Sequence, residues 1–331
     1  MAASIRDVAE AAKVSVGTVS NVLNHPDKVA PSTVERVLAV IGELGFVRND
    51  AARQLRAGRS RSIGLMVLDI RNPFFAEVAR GAEERAEVHG LSVLVANSDE
   101  KQEREATHLD LFEEQRVAGV LITPVREASS RLDRMRLHGI PSVLVDRESH
   151  DPRFASVAVD DVMGGRVAAE HLLETGRRRL AFIGGPAAIR QVSDRFRGAQ
   201  DAVAERGLGI EFIATDALSV DEGRRAGRRI LDRAAEDRPD AIFAANDLLA
   251  LGVLQSLVMT GDARVPADIA LIGYDDIDFA AAAVIPLSSV RQPAALIGST
   301  AVDLLVAGEA RAGEHVLFEP ELVARSTTKG L

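Results

Sequence analysis

Polar side chains follow several short apolar runs of this sequence, at the point where each run ends. Asp69 follows the run from Ile63 to Leu68, and Asn72, Phe74 and Phe75 come soon after it. The same pattern places further polar residues after other runs: Asp146, Asp160, Asp161, Asn246, Asp247, Asp275 and Asp276. Carboxylates and amides exchange hydrogen bonds with hydroxyl groups, and a phenyl ring offers a flat face to C–H bonds. This combination suits a sugar.

The apolar runs read as buried strands, and helical stretches separate most of them. This alternation predicts parallel sheets covered by helices, and the strands are too many for one small sheet. We therefore expect two α/β lobes, with ligands bound beyond the carboxyl ends of the strands. A single aspartate at such a position is more often a helix cap, but five converging clusters favour a binding site. The clearest runs are 63–69, 91–96, 119–122, 141–145, 180–183, 241–244 and 269–273.

The first sixty residues follow a different, helical pattern. Ser4 can cap a first helix, with Asp7 in a capping box, and Ser15 can cap a second after a short break. Two short helices joined by a tight turn form a helix-turn-helix. A third helix is expected from Pro31 to Gly45. The start and outer face of the second helix would meet base edges in a major groove. The residues there are Val16, Gly17, Thr18, Ser20 and Asn21.

A short segment connects this head to the lobes. Asn49 can cap a helix over residues 50–56, and Gly58 can end it. A helix this short is marginal in water without a partner. On sequence pattern alone, the alternative is a flexible linker.

Composition excludes several classes of function. The 331 residues contain no cysteine, and the seven histidines are scattered, so neither a disulfide framework nor a metal site is expected. There is no dinucleotide or phosphate-loop motif and no G-x-S-x-G elbow, so we expect no cofactor and no catalytic residues. Without a signal peptide or a membrane-length apolar run, a cytoplasmic protein is expected.

Charge is unevenly distributed along the chain. The net charge is −9, yet residues 1–61 hold nine Lys and Arg against six Asp and Glu. The head is therefore mildly basic and the remainder acidic, which allows phosphate contact at one end only.

Two sets of motifs resemble a known family. The stretch from Ile5 to Asn24, and the one from Ile41 to Phe46 followed by Asn49, closely resemble the opening of LacI/GalR repressors. Residues 246–252 and 272–276 resemble effector-domain motifs of that family and of periplasmic sugar-binding proteins. The resemblance extends to the C-terminus.

The resemblance implies roles in DNA binding. By this resemblance, the positions that read bases are Ser15, Val16, Gly17 and Asn21. Thr18 and Ser20 would face phosphates or have a structural role. Two hinge helices of a dimer would pair in the minor groove, where Leu55 would act as a wedge. Arg53 and Arg56 would meet nearby phosphates.

The resemblance also implies an effector pocket. Arg195 matches the family's sugar-anchoring arginine, and Gln292 matches a polar position where the chain crosses between the lobes. The residues that would line the pocket from the first lobe are Asn72, Phe74 and Phe75. Some family members stack a tryptophan on the sugar, whereas this chain has none and carries Leu218 in the corresponding stretch. A deoxyhexose such as rhamnose would suit an apolar Leu218. A purine or nucleoside effector is the alternative.

The expected protein is thus an allosteric repressor of carbohydrate genes that binds operator DNA as a homodimer. We expect a head over residues 1–48, a hinge over 49–60 and an effector domain over 61–331. The first lobe would comprise 61–160 and 292–318, and the second 161–291 and 319–331. No leucine heptad follows Glu321, which favours a dimer over a tetramer. The rivals are a periplasmic sugar-binding protein, disfavoured by the head, and an enzyme.

Overall fold

The computed structural model describes residues 3–46, 60–126, 130–149 and 151–329. The chain divides into two compact units, residues 1–59 and 60–331. The predicted hinge residues Asn49, Arg53, Leu55 and Arg56 lie outside the described residues.

The first unit is a three-helix head. It contains α1 (Ile5–Ala11), α2 (Val16–Asn24), a 3-10 turn (Pro26–Lys28) and α3 (Pro31–Leu44). Ser4 and Asp7 form the predicted capping box, Ser15 caps α2, and Gly45 ends α3 with a positive φ of 59°. Val8, Val19 and Val37 are fully buried where the three helices meet. Apolar spacing and caps together therefore produce the predicted helix-turn-helix.

The second unit contains two six-stranded sheets, each covered by helices. The first sheet has the order β11-β5-β4-β3-β1-β2, with all its neighbours parallel. Its strands are β1 (Ser62–Val67), β2 (Ser92–Asn97), β3 (Val120–Ile122), β4 (Ser142–Val145), β5 (Ala155–Val159) and β11 (His315–Phe318). The helices of this lobe are α4 (Pro73–Val88), α5 (Gln102–Glu114), α6 (Ser130–Leu137) and α12 (Ala294–Ala307), followed by a 3-10 turn (Gly308–Arg311).

The second sheet has the order β12-β10-β9-β8-β6-β7. Its strands are β6 (Leu180–Gly184), β7 (Ile210–Ala214), β8 (Ala241–Ala244), β9 (Ala270–Asp275), β10 (Ser288–Arg291) and β12 (Glu321–Val323). The helices of this lobe are α7 (Asp161–Glu174), α8 (Arg190–Ala204), α9 (Val220–Leu231), a 3-10 turn (Ala235–Asp237), α10 (Asp247–Thr260), α11 (Asp278–Ala281) and α13 (Ser326–Lys329).

The predicted architecture of two doubly wound lobes is confirmed, with one departure. The edge strand β12 runs antiparallel to β10, although every other pairing in both sheets is parallel. The chain passes between the lobes three times, after β5, β10 and β11. These passages bring the carboxyl ends of strands from both lobes to one shared edge.

Candidate functional site

A cleft lies between the two lobes, beyond the carboxyl ends of β1, β4, β8 and β9. It encloses about 440 Å³, counting space open to solvent, which is within the range of small-ligand sites. The predicted ligand residues that line it are Asp69, Asn72, Phe74, Phe75, Asp146, Arg195, Asn246 and Asp275. The other lining residues are Leu68, Glu100, Ile189, Gln191 and Leu218.

Asn72 joins the two lobes at the cleft. It caps α4, where its Oδ1 accepts a hydrogen bond from the backbone N–H of Phe74. Its Nδ2 donates to Oδ2 of Asp275 across the cleft at 2.9 Å. The helix cap fixes the amide so that the other end of the side chain reaches the second lobe. Phe74 and Phe75 follow on the first turn, with ring centroids 5.1 Å apart.

Arg195 is the only cationic side chain among the lining residues. It lies buried on α8, where its Nε donates to Oδ1 of Asp161 at 2.7 Å and its Nη1 to the carbonyl of Ala245 at 2.8 Å. The guanidinium stacks 3.6 Å from the ring centroid of Tyr274. Burial acts to lower the pKa of Arg195, but the neighbouring carboxylates, Asp161 foremost, raise it above its ordinary value. The group therefore stays charged inside the cleft.

Two aspartates face each other across the cleft, and they differ in how many of their carboxyl oxygens accept hydrogen bonds. Asp275 accepts from Asn72 and, through Oδ1, from Nε2 of Gln292 at 2.8 Å. Asp146 accepts from Gln191 through Oδ2 at 3.0 Å, while its buried Oδ1 has no hydrogen-bond partner in the described part of the chain. Burial, reinforced by the charge of Asp161, raises the pKa of Asp146 well above its ordinary value, and Arg195 opposes the rise. The unpartnered Oδ1 of Asp146 thus leaves a ligand one buried carboxyl oxygen to which it can hydrogen-bond.

Glu100 is an acidic lining residue that the strand-end pattern did not assign. It follows β2 with a positive φ of 57°. Its carboxyl has no hydrogen-bond or ion-pair partner among the described residues, whereas nearby Asp69 and Asp99 both pair with Arg71. Burial, and then the charges of Asp69 and Asp99, raise the pKa of Glu100 to about 7.

Three predicted ligand residues do not line the cleft, for identifiable reasons. Asp160 caps α7 and accepts from the backbone N–H of Met163 at 2.8 Å. Asp247 is fully buried and accepts from Ser289 Oγ and the backbone N–H of Ile277. Gln292 acts through Asp275, whose carboxylate it holds. Asp160 is thus a helix cap and Asp247 a core residue. Any polar residue at a strand end can take one of these two roles instead of binding a ligand.

Sequence reasoning missed two polar lining residues. Gln191 lies one helical turn before Arg195, so the spacing of α8 could have identified it. Glu100 follows β2, so the strand-end rule applied elsewhere could have identified it as well.

The head presents the predicted DNA-reading residues unevenly. Ser15, Gly17 and Asn21 are exposed, whereas Val16, Thr18 and Ser20 are half-buried. The hydroxyl of Ser15 accepts from the backbone N–H of Thr18, and Val16 packs against the head core. Asn21 is therefore the longest exposed polar side chain among these six.

The described residues contain no group of three or more His, Cys, Asp or Glu positioned to hold a metal ion. No helix within the described ranges is long and apolar enough to cross a membrane. The cleft thus offers hydrogen bonds, one cation and phenyl rings, a set of groups that binds a small polar molecule.

Two family models match different parts of the chain. A model of bacterial regulatory proteins of the lacI family matches residues 4–49, and a model of the periplasmic binding protein-like domain matches residues 169–328. The head and the lobed unit thus each match a recognised kind of domain.

Named proteins match over nearly the whole chain. The ribose operon repressor of Halalkalibacterium halodurans is 35% identical, covering 99% of this chain and 97% of its own. The repressor PurR of Photobacterium profundum is 32% identical over 99% of both chains.

Solved structures match as well. The lac repressor dimer bound to operator and an anti-inducer has a TM-score of 0.83 at 28% identity, covering 99% of both chains. A LacI family regulator from Enterococcus faecium with bound ribose has a TM-score of 0.74 at 26% identity, covering 82% of this chain and 99% of its own.

Proposed function

The chain belongs to the lacI family of bacterial regulatory proteins, and from this premise we propose that it is a repressor that binds operator DNA and releases or retains it in response to a small molecule. The observation that carries the proposal is one chain combining a helix-turn-helix head with a two-lobed unit whose cleft is lined by hydrogen-bonding groups. A regulator of this kind acts in the cytoplasm, where the DNA is, and needs no catalytic group.

The head reads DNA through α2. Asn21 has the reach and the exposed amide to bond a base edge, and Ser15, Val16 and Gly17 stand at the start of the same helix. Thr18 and Ser20 support the helix or meet phosphates. In the hinge, Leu55 opens a base step while Asn49, Arg53 and Arg56 secure the segment on the duplex.

The domain bounds proposed from the sequence are a head over 1–48, a hinge over 49–60 and an effector domain over 61–331. The compact units 1–59 and 60–331, and the membership of each strand in one of two sheets, support this division. The protein works as a homodimer, as the lac repressor does in its operator complex.

The effector is a sugar held between the lobes. Arg195, Asn246, Asp275 and Asp146 supply donors and acceptors for hydroxyls, and Phe74 and Phe75 supply an apolar face. The ribose bound to the Enterococcus faecium regulator supports this choice. A purine is the second candidate, because the PurR relative matches at nearly the same identity.

Binding-site selection from a random duplex library with the full-length protein tests the DNA-binding function. The selected sequences should share a pseudo-palindrome. Asn21→Ala should weaken binding to it by about 1–3 kcal/mol and relax one position in each half-site. Glu43→Gln, on the exposed surface of α3, is the control and should preserve the selected sequence. No enriched sequence, or an unchanged one with Asn21→Ala, would contradict the proposal.

A further inference from the structure

The cleft has an excess of negative charge. Its lining contains one arginine and four carboxylates: Asp69, Glu100, Asp146 and Asp275. Only the arginine could compensate a negatively charged ligand directly, so its availability decides which charge the cleft accepts.

The charge of Arg195 is already compensated from within the protein. Its Nε pairs with Asp161 at 2.7 Å, its Nη1 lies 3.7 Å from Oδ1 of Asp275, and one face covers Tyr274. Its Nη2 makes no hydrogen bond to any described residue and remains available to a neutral acceptor such as a hydroxyl oxygen. Arg195 can therefore orient a ligand, but two carboxylates already compete for its charge.

Three arginines beside the cleft already pair with carboxylates. Arg71 pairs with Asp69 and Asp99 at 2.9 and 3.4 Å. Arg190 and Arg197, which line an adjoining cavity, both pair with Asp194. Arg71 offsets Asp69 and, less strongly than burial and the two aspartates oppose it, acts on Glu100, whereas Arg190 and Arg197 are held by Asp194. Each of these cations is therefore already shared with a carboxylate before a ligand enters.

Two carboxylates of the lining keep an unmet need for a donor. Asp146 is only 4% exposed, and its Oδ1 has no partner in the described chain. A buried oxygen of this kind requires a hydrogen-bond partner, and a sugar hydroxyl supplies one whether the Asp146 carboxyl is ionised or protonated, because a hydroxyl both donates and accepts. The Glu100 carboxyl makes no ion pair with any described residue, and Arg71, which lowers its pKa, is paired with Asp69 and Asp99.

We propose, building on the sensing function proposed above, that the effector carries no negative charge: the cleft accepts a free sugar and rejects its phosphate ester, and Glu100 enforces the rejection. A phosphate group entering the cleft would lose its water and meet Glu100, which is largely ionised above pH 7, with no unpaired cation in the lining. Repulsion between like charges is strong in such a low-dielectric site. A neutral hydroxyl-rich molecule avoids this cost and satisfies Oδ1 of Asp146.

Calorimetric titration of the full-length protein with matched pairs tests the proposal. The pairs are ribose and ribose 5-phosphate, glucose and glucose 6-phosphate, and inosine and inosine monophosphate. The free member of the best pair should bind about a hundredfold more tightly than its phosphate. Glu100→Gln, which removes the charge and keeps the shape, should narrow this ratio about tenfold. Glu103→Gln, the same change on the exposed face of α5, should leave the ratio unchanged.

The possible outcomes test this inference separately from the sensing function on which it rests. A phosphate ester that binds more tightly than its free partner would overturn the inference and leave the sensing function standing. An unchanged ratio in Glu100→Gln would overturn the role of Glu100. Binding of no panel member would overturn the proposed sugar or purine effector itself, and the inference with it.

Discussion

Arg195 couples the stability of the second lobe to ligand binding, because it both faces the cleft and compensates buried carboxylates. Replacing it with alanine leaves Asp161 and Asp275 buried without their counter-charge. We expect Arg195→Ala to weaken effector binding by about tenfold to a hundredfold and to destabilise the protein by about 3–5 kcal/mol. Titration with the tightest-binding sugar and thermal unfolding measure the two effects.

The exposed neighbour Arg197 provides the control for this variant. It pairs with Asp194 at the surface of the same helix, so Arg197→Ala should cost at most about 1 kcal/mol. Adding Asp161→Asn to Arg195→Ala removes one uncompensated charge and should restore part of the stability but not the ligand affinity. Full ligand affinity in folded Arg195→Ala would show that this residue does not anchor the effector.

Glu100 makes the stability of the ligand-free protein depend on pH. Its pKa is raised from 4.5 to about 7, first by burial and then by Asp69 and Asp99, so ionisation costs the folded state. Stability is therefore lost as the pH rises from about 4.5 through 7, and Glu100→Gln avoids the loss. The melting temperature of Glu100→Gln should exceed that of wild type at pH 8 by more than at pH 5. A difference that does not change with pH would contradict this assignment.

At the scale of elements, the position of Arg195 depends on a close approach of α7 and α8. A Cβ added at Gly165 would overlap the backbone carbonyl of Arg195, and one added at Gly198 would overlap that of Val162. Each helix thus provides a glycine where the other helix crosses it. The helix carrying the arginine is set against the helix carrying Asp161 by backbone contact.

We therefore expect Gly165→Ala to force the helices apart and to disturb the Arg195–Asp161 pair. Overpacking of this kind costs about 1–3 kcal/mol, and sugar affinity should fall with it. Gly209→Ala, where an added Cβ meets no atom within 4 Å, is the matched control. Chemical unfolding and ligand titration of both variants measure the effects. Equal stability and affinity in the two variants would show that the close approach is not required.

The elements that the sequence predicted are those with a strong local signal. Capped helices of the head, and strands that are buried on both faces such as β1, β4 and β9, stand out as apolar runs. Of the strands that were not predicted, β7, β11 and β12 are half-exposed and lie at sheet edges. The fourth, β10, is buried inside its sheet but is only four residues long and begins with two serines. Their pairing depends on distant residues, so no local pattern reveals it.

The residues of the cleft could likewise be predicted only where a local sequence pattern places them. Asp69, Asp146 and Asp275 are predictable because parallel strands bring their carboxyl ends to one edge. The chain alone does not distinguish Asp247, which turns inward to Ser289, from Asn246 beside it, which lines the cleft. That choice is made by tertiary hydrogen bonds, which sequence periodicity does not encode.

At the scale of the whole molecule, the uneven charge bears on DNA binding, and the contacts between the lobes bear on effector binding. The basic excess in residues 1–61 lies within an acidic chain of net charge −9, so phosphates are attracted to the head and repelled elsewhere. Between the lobes, two hydrogen-bonded residue pairs flank the cleft: Asn72 with Asp275, and Gln191 with Asp146. Each joins a helix of one lobe to a strand end of the other, so both stabilise the closed arrangement.

Asn72→Ala should shift the lobes toward the open arrangement by removing one of these bonds. A hydrogen bond to a charged group contributes about 1.5–3 kcal/mol, enough to change an open-to-closed ratio by about tenfold or more. A ligand bound by both lobes stabilises closure, so the variant should change operator affinity in the direction opposite to the ligand. For an inducer, ligand-free Asn72→Ala would hold operator at least as tightly as wild type; for a corepressor, it would bind less tightly.

Because Asn72 also lines the cleft, the decisive measurements are made without ligand. Small-angle scattering should give ligand-free Asn72→Ala a larger radius of gyration than wild type, and operator titration gives the affinity change. Gln255→Ala removes an exposed amide that bonds Arg224 within one lobe, so it should alter neither quantity. If ligand-free Asn72→Ala had the larger radius of gyration but moved operator affinity in the same direction as the ligand, the premise that the ligand stabilises closure would be wrong. The effector would then act by separating the lobes, because only a ligand that binds the open arrangement better can share the variant's effect.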